Sequence, residues 1–232
     1  MFMKRILTIF LIAISISLMA QNKPFQFGIK AGPNMGWFST SADNYQNKGV
    51  DFGGSWGFIA DFFIMENYSF STGFDIVYLN GTMSYPDVYE YDTSSVKISG
   101  TLKRSYRTKY VKIPFVFTMK TNEIKGVKYY GQVGFGLSIL FAAKAKDDFT
   151  GNNGEHITTP KHNIYDDLLP TRESLILGAG MEIPLHGSTI IRVGLVYDNA
   201  FINILRGFNT VNTSAKNNGR NSFIALDIGI LS

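Results

Sequence analysis

Three histidines, His156, His162 and His186, are the side chains whose ordinary titration suits general acid or base work near neutral pH. None falls in a segment that reads as a strand, and no serine or aspartate stands at a spacing that pairs with one. His186 sits in a tight turn. The chain has no cysteine, which removes thiol nucleophiles, thiolate metal sites, disulfide frameworks and an acylated lipoprotein cysteine. The stretch 146–171 gathers Asp147, Asp148, Glu155, His156, His162, Asp166 and Asp167, the oxygen and imidazole groups that hold divalent ions. Their spacing matches neither an EF-hand nor a zinc site, and such clusters in long loops read as solvated surface. The run GFGLSI lacks the Lys-Ser/Thr of a phosphate loop and lies within a strand. No enzyme, metal site or cofactor is expected.

A different constellation is more regular. Lys30, Asp61, Asp75, Lys112, Glu182, Arg192, Asp198 and Asp227 each stand in a segment of alternating character, always on the polar parity. In YSFSTGFDIVYL, Tyr68, Phe70, Phe74, Ile76 and Tyr78 share one parity, and Ser69, Ser71, Gly73 and Asp75 the other. In YYGQVGFGLSILF, Tyr129, Val133, Phe135, Leu137, Ile139 and Phe141 alternate with Gln132, Gly134, Gly136 and Ser138. A two-residue period is that of a strand with one dry face. After the first 20 residues no long helical periodicity, no second long apolar run and no fixed repeat is visible.

Reading every such segment predicts eight strands, near 25–37, 53–65, 68–82, 104–119, 127–145, 172–185, 189–204 and 221–231. The connections at 66–67, 120–126 and 186–188 are short. Those near 38–52, 83–103, 146–171 and 205–220 are long and polar, so short and long alternate strictly. That is an all-β, eight-stranded, antiparallel up-and-down barrel, the layout of transmembrane barrels with short periplasmic turns and long extracellular loops.

Which face is dry separates this from a soluble, lipocalin-like barrel. The polar parity carries Gly28, Gly32, Gly134, Gly136, Gly178, Gly180 and Gly194. Glycines suit a crowded interior better than a wet exterior. Tyr68 and Tyr129 stand near the tight turns, and Trp37, Trp56, Tyr78, Phe141 and Tyr197 nearer the loops, as aromatic girdles do. The eight charges therefore point into the lumen. Three cations against five acids leave two acids in excess, so hydration or protonation is expected there. Eight strands enclose room for side chains alone, which favours a polar plug over an ion path.

Composition agrees. The chain is 45% hydrophobic and 17% charged, too apolar for disorder. Residues 1–20 read as a signal peptide, with Lys4 and Arg5 before an uncharged stretch from Ile6 to Ala20 that is short of the roughly 20 residues a membrane helix needs. Its removal lowers the net charge from +4 to +2, leaving residues 21–232 as one domain. Nothing in that charge suggests a nucleic-acid partner, for which a clustered basic face is expected.

The stretches FGIKAGPNMGWF, YVKIPF, YYGQVGFGLSI and ILGAGMEIPL, behind a leader ending MAQ, together resemble the PorT-like outer-membrane β-barrel proteins of the Bacteroidota. The resemblance covers essentially the whole mature chain and implies an outer-membrane location and a barrel of about eight strands. It implies no reaction.

The expected function is a non-enzymatic integral barrel, monomeric in outer-membrane lipid, with an envelope-structural or interaction role through its loops. A secretion-apparatus accessory with envelope or secretion proteins as partners stands second, then a narrow channel or a lipocalin-like binder. Tyr45, Tyr85, Tyr89, Tyr91, Tyr165 and Phe208 fall in the predicted loops, and Tyr106 is counted with them at the loop end of the predicted strand 104–119. Two readings stand for them: contact with a partner, or folding back over the barrel mouth.

Overall fold

A computed structural model describes residues 25–42, 44–91, 96–185 and 187–232. The expected leader and His186 lie outside the described residues. The strands are β1 (Phe25–Ser39), β2 (Gln46–Asn47), β3 (Asp51–Met65), β4 (Tyr68–Glu90), β5 (Lys97–Lys120), β6 (Lys128–Gly151), β7 (His156–Asn163), β8 (Thr171–Pro184), β9 (Ile190–Ala200) and β10 (Arg220–Leu231). Eight of them close a ring in the order β1-β3-β4-β5-β6-β8-β9-β10, every neighbour antiparallel. Closure is made by β1 on β10, from Gly28 opposite Leu231 to Ser39 opposite Arg220. The short β2 and β7 lie outside the ring, on β4 and β6.

The polarity is inside-out, as the alternation requires. Ile29, Phe135 and Phe141 are 67%, 62% and 73% exposed, whereas Asp61 and Asp198 are fully buried. A continuous greasy exterior of this size has no place on a soluble monomer and fits acyl chains. Aromatics bracket it. Tyr68 stacks on Phe117 near the tight turns, and Trp37 stacks on Tyr197 toward the loops, each pair about 6 Å between ring centres.

Three strands run far past the bilayer. β4, β5 and β6 have 23, 24 and 24 residues, against the roughly 9–11 that a tilted spanning strand needs. The stretches expected as loops at 83–103 and 146–171 are therefore mostly strand, while β9 stops at Ala200, short of the expected 204. The physical reason is a change of solvent. Within the bilayer β5 turns Val111, Ile113, Phe115 and Phe117 outward; above it the outward residues are Lys103, Arg107 and Lys109, and Leu102, Tyr106 and Tyr110 point inward and are buried. The dry face swaps sides. In β6 a bulge reinforces the swap: Lys109 opposes Ala142 and Tyr110 opposes Leu140, so Phe141 is the extra residue and the parity slips by one.

The inward side chains of this upper storey form an apolar core containing Phe38, Leu79, Met83, Leu102, Tyr106, Phe149, Leu168 and Ile204. Tyr45 and Tyr85, expected in loops, and Tyr106 beside one fold inward: Tyr45 stacks on Tyr85 and Phe38 packs on Tyr106, both at 4.9 Å between centres. Tyr165 and Phe208 remain exposed.

Candidate functional site

All eight charges read from the sequence face the interior, and two cations that the sequence reading missed join them. By sequence Lys120 falls in the turn 120–126 and Arg172 at the edge of the strand 172–185. Both are buried, and both stand on the inward parity of their strands, Lys120 with Lys112 and Arg172 with Glu182. Extending the predicted strand 104–119 by one residue finds Lys120, and Arg172 already opens the predicted strand 172–185 on the polar parity. Five cations now face five acids, so the expected excess of two acids is corrected to balance.

The ten charges form two networks. Toward the tight turns, Lys120 Nζ lies 2.8 Å from Glu182 and 3.5 Å from Asp61. Arg192 donates from Nε to Glu182 at 2.9 Å and from Nη2 to Asp61. Two cations and two acids thus make a closed quartet. Its cations lie against aromatic faces, Lys120 on Phe63 at 4.9 Å and Arg192 on Tyr130 at 5.3 Å. The Tyr130 ring has space because its hydroxyl faces Gly194, where a Cβ would come within 2.0 Å of it.

Further up runs a line of alternating sign. Lys30 bridges Asp227 at 3.0 Å and Asp75 at 3.1 Å, Lys112 bridges Asp75 at 3.5 Å and Asp198 at 3.3 Å, and Arg172 binds Asp198 at 2.6 Å. Arg172 Nε also donates to Asn221 Oδ1 at 2.8 Å. Phe223 covers this line from the loop side, its ring 5.2 Å from Lys112 Nζ and 5.6 Å from the Arg172 guanidinium. Between the networks Val116, Ile176 and Val196 pack into a small apolar layer. A cavity of about 30 Å³ beside Lys30, Tyr130, Arg192 and Asp227 has room for a water or two.

Such a lumen is electrically neutral and layered: ions, apolar packing, ions, then the apolar upper core. Buried charges are tolerable when paired and hydrogen-bonded, and here each cation has an acid within 3.5 Å. A continuous aqueous path would need to cross Arg172, Tyr110, Phe223, Leu79 and Met83, all essentially fully buried.

The residues of stretch 146–171 are spread over partners. Arg104 grips Asp147 in a fork at 2.7 and 2.8 Å and reaches Asp167 at 3.1 Å. Asp148 accepts from Thr158 at 2.8 Å and pairs with Lys146. The tyrosine hydroxyl of Tyr91 donates to Glu155. Among the described residues no group of three metal-ligating side chains gathers. Two expectations about the histidines are corrected here. His156 and His162 lie on a strand, β7, because the upper part of β6 offers an edge to pair with; and His162 Nε2 has an acid neighbour, Asp147, at 3.5 Å, with that carboxylate already held by Arg104.

At the loop end a cavity of about 300 Å³ opens between Tyr85, Arg104, Tyr106, Asp167, Arg206 and Asn209. Burial pushes the Tyr106 hydroxyl up to about 12, with the Arg104 charge pulling the other way. Tyr85 is raised as well, by burial and by its neighbour Tyr106, their hydroxyls 3.5 Å apart.

A closed ring of eight antiparallel strands, greasy outside and ion-filled inside, defines a bacterial outer-membrane β-barrel. The chain belongs to the outer membrane protein beta-barrel domain family, whose model matches residues 19–206. Among solved structures it is similar to Neisserial surface protein A (14% identity, 90% of this chain and 96% of that one, TM-score 0.44). It is also similar to Ail, the attachment invasion locus protein of Yersinia pestis (14% identity, 90% and 100%, TM-score 0.38), and to OprG of Pseudomonas aeruginosa (10% identity, 91% and 97%, TM-score 0.42). No curated protein matches the sequence at a significant level.

Proposed function

We propose that this chain is a non-conducting, non-enzymatic outer-membrane barrel that serves the envelope through the structure it raises above the outer leaflet. The observation that carries the reading is the lumen, where five cations and five acids neutralise one another beneath a buried apolar core. Such filling stiffens a scaffold and blocks transport. The upper parts of β4, β5 and β6 then stand as a rigid slab, and exposed Tyr165 and Phe208 supply aromatic contacts of the kind that anchor partners. Export through a leader at residues 1–20 and a monomeric state in the membrane belong to the same proposal. Purified protein in planar bilayers is expected to give no step conductance, and regular steps would refute the reading. A second reading, an accessory of a secretion apparatus, rests on the PorT-like stretches YVKIPF and YYGQVGFGLSI. It predicts stable co-purification with other envelope proteins after gentle extraction, and a free monomer there removes it.

A further inference from the structure

Immediately above the greasy belt, one side of the barrel is basic. Lys103, Arg107 and Lys109 of β5 and Lys144 and Lys146 of β6 all point outward and are exposed. Arg107 stands directly opposite Lys144, with Asn80 and Asn163 as their other cross-strand neighbours. Like charges facing one another across a sheet, roughly 5 Å apart at Cβ, repel and are destabilising unless an anion lies between or over them. None of the chain's described carboxylates does this: Arg107, Lys103, Lys109 and Lys144 take part in no ion pair among the described residues. Asp148, the one acid opposite the ladder, is engaged by Lys146 and Thr158.

The depth of the ladder narrows the class of anion that fits it. Its lowest rung, Lys109, lies over the Tyr78 ring at 5.1 Å, two residues above Val111 of the greasy belt, which is the membrane boundary. From Lys109 to Lys103 is six residues, roughly 20 Å along a strand and about 15 Å in height at the usual tilt. A glycerophospholipid headgroup layer is only about 5–8 Å deep. A headgroup that reaches the upper rungs must be thicker and carry anionic groups at more than one height.

We propose that the outward face of β5 and β6 is a binding site for a lipid with a phosphorylated sugar headgroup in the outer leaflet, one phosphate group seated between Arg107 and Lys144 and a second, higher one reaching Lys103. This goes beyond the filled-lumen reading, and a conducting or silent barrel leaves it untouched.

The test uses the full-length protein in detergent with bisphosphorylated lipid A, enzymatically dephosphorylated lipid A, phosphatidylglycerol and inorganic pyrophosphate as probes, binding being counted by native mass spectrometry and titration. Arg107→Gln with Lys144→Gln is expected to weaken lipid A binding by about tenfold or more, the loss of two charge-assisted contacts, and the corresponding double glutamate variant to weaken it further. Lys125→Glu, at the tight-turn end, is expected to bind as the parent does. Dephosphorylated lipid A and phosphatidylglycerol are each expected to bind at least tenfold more weakly. Without lipid, the double glutamine variant should melt at the same temperature as the parent or higher, because the repelling pair is gone, and should gain less on adding lipid A. Parent-like lipid A binding by both double variants, equal binding of phosphatidylglycerol, pyrophosphate binding as tight as that of lipid A, or a lower melting temperature of the lipid-free glutamine variant would each overturn the assignment.

Discussion

The tight-turn quartet gives the sharpest test of how the lumen is held. Arg192→Met keeps most of the side-chain volume and removes one charge. Asp61 and Glu182, both essentially fully buried, are then left to share Lys120, which stands 3.5 and 2.8 Å away. Removing one partner of a buried pair costs about 3–5 kcal/mol, because the orphaned charge cannot return to water. That corresponds to a drop of roughly two to three and a half orders of magnitude in the folded-to-unfolded ratio. Arg192→Met combined with Asp61→Asn restores neutrality, leaving Lys120 with Glu182, and is expected to recover about 2 kcal/mol or more relative to the sum of the single losses. Urea unfolding in lipid vesicles, followed by tryptophan fluorescence and by the heat-dependent gel mobility of closed barrels, measures both. A single-variant loss below about 1 kcal/mol, or strictly additive losses in the double variant, would mean that the charges are solvated independently and that no quartet exists.

Three further outcomes are expected of the lumen, the upper storey and the girdle. Gly194→Ala puts a methyl group within 2.0 Å of the Tyr130 hydroxyl; the overpacking should cost about 1–3 kcal/mol, and adding Tyr130→Phe, which deletes the clashing oxygen, should return about half of it in the same unfolding assay. Tyr106 has its folded value raised from 10.0 to about 12 by burial. Its contribution to the stability of the upper storey is therefore complete below pH 10 and lost as pH rises toward 12, and tyrosinate absorbance should show a late-titrating component that Tyr106→Phe reduces by one tyrosine, Tyr85 remaining in it. Trp37, stacked on Tyr197, and exposed Trp56 sit on the outer girdle; lipids brominated near the headgroup should quench both far more than iodide does, and the reverse ordering would contradict the inside-out polarity.

How much of this was legible in the sequence depended on which solvent each segment meets. Between the girdles one rule holds, apolar out and polar in, and Lys30, Asp61, Asp75, Lys112, Glu182, Arg192, Asp198 and Asp227 could be placed inside by parity alone. Parity gives a side chain's face but not its height, so the division into a quartet and a line was invisible. Lys120 and Arg172 were missed because a charge at a strand end looks like the start of a loop. The two networks also depend on ring closure: Asp61 and Arg192 are 131 positions apart and meet only across the lumen.

Above the girdle the same alternation continues with its sign reversed, and this is why the upper storey read as loop. In KISGTLKRSYRTK the inward residues Leu102, Arg104, Tyr106 and Thr108 alternate with outward Lys103, Ser105, Arg107 and Lys109 as regularly as any membrane strand. A reader tracking one dry face sees the hydrophobic parity vanish near Lys112, when it has moved to the other side of the same strand. The inversion has a structural consequence. A barrel that ended at the girdle would leave Phe223 and the line of ions beneath it open to water, whereas continuing β4, β5 and β6 with apolar residues inward seats Leu79, Met83, Tyr106 and Phe149 over them. Because the upper core excludes water from the ion line, attraction between its charges is screened less than at a surface. Stability of the ion line and order of the extracellular slab are thus coupled through Phe223: truncating β4 to β6 at the membrane surface should loosen the Lys112–Asp198–Arg172 contacts even though none of those residues is touched.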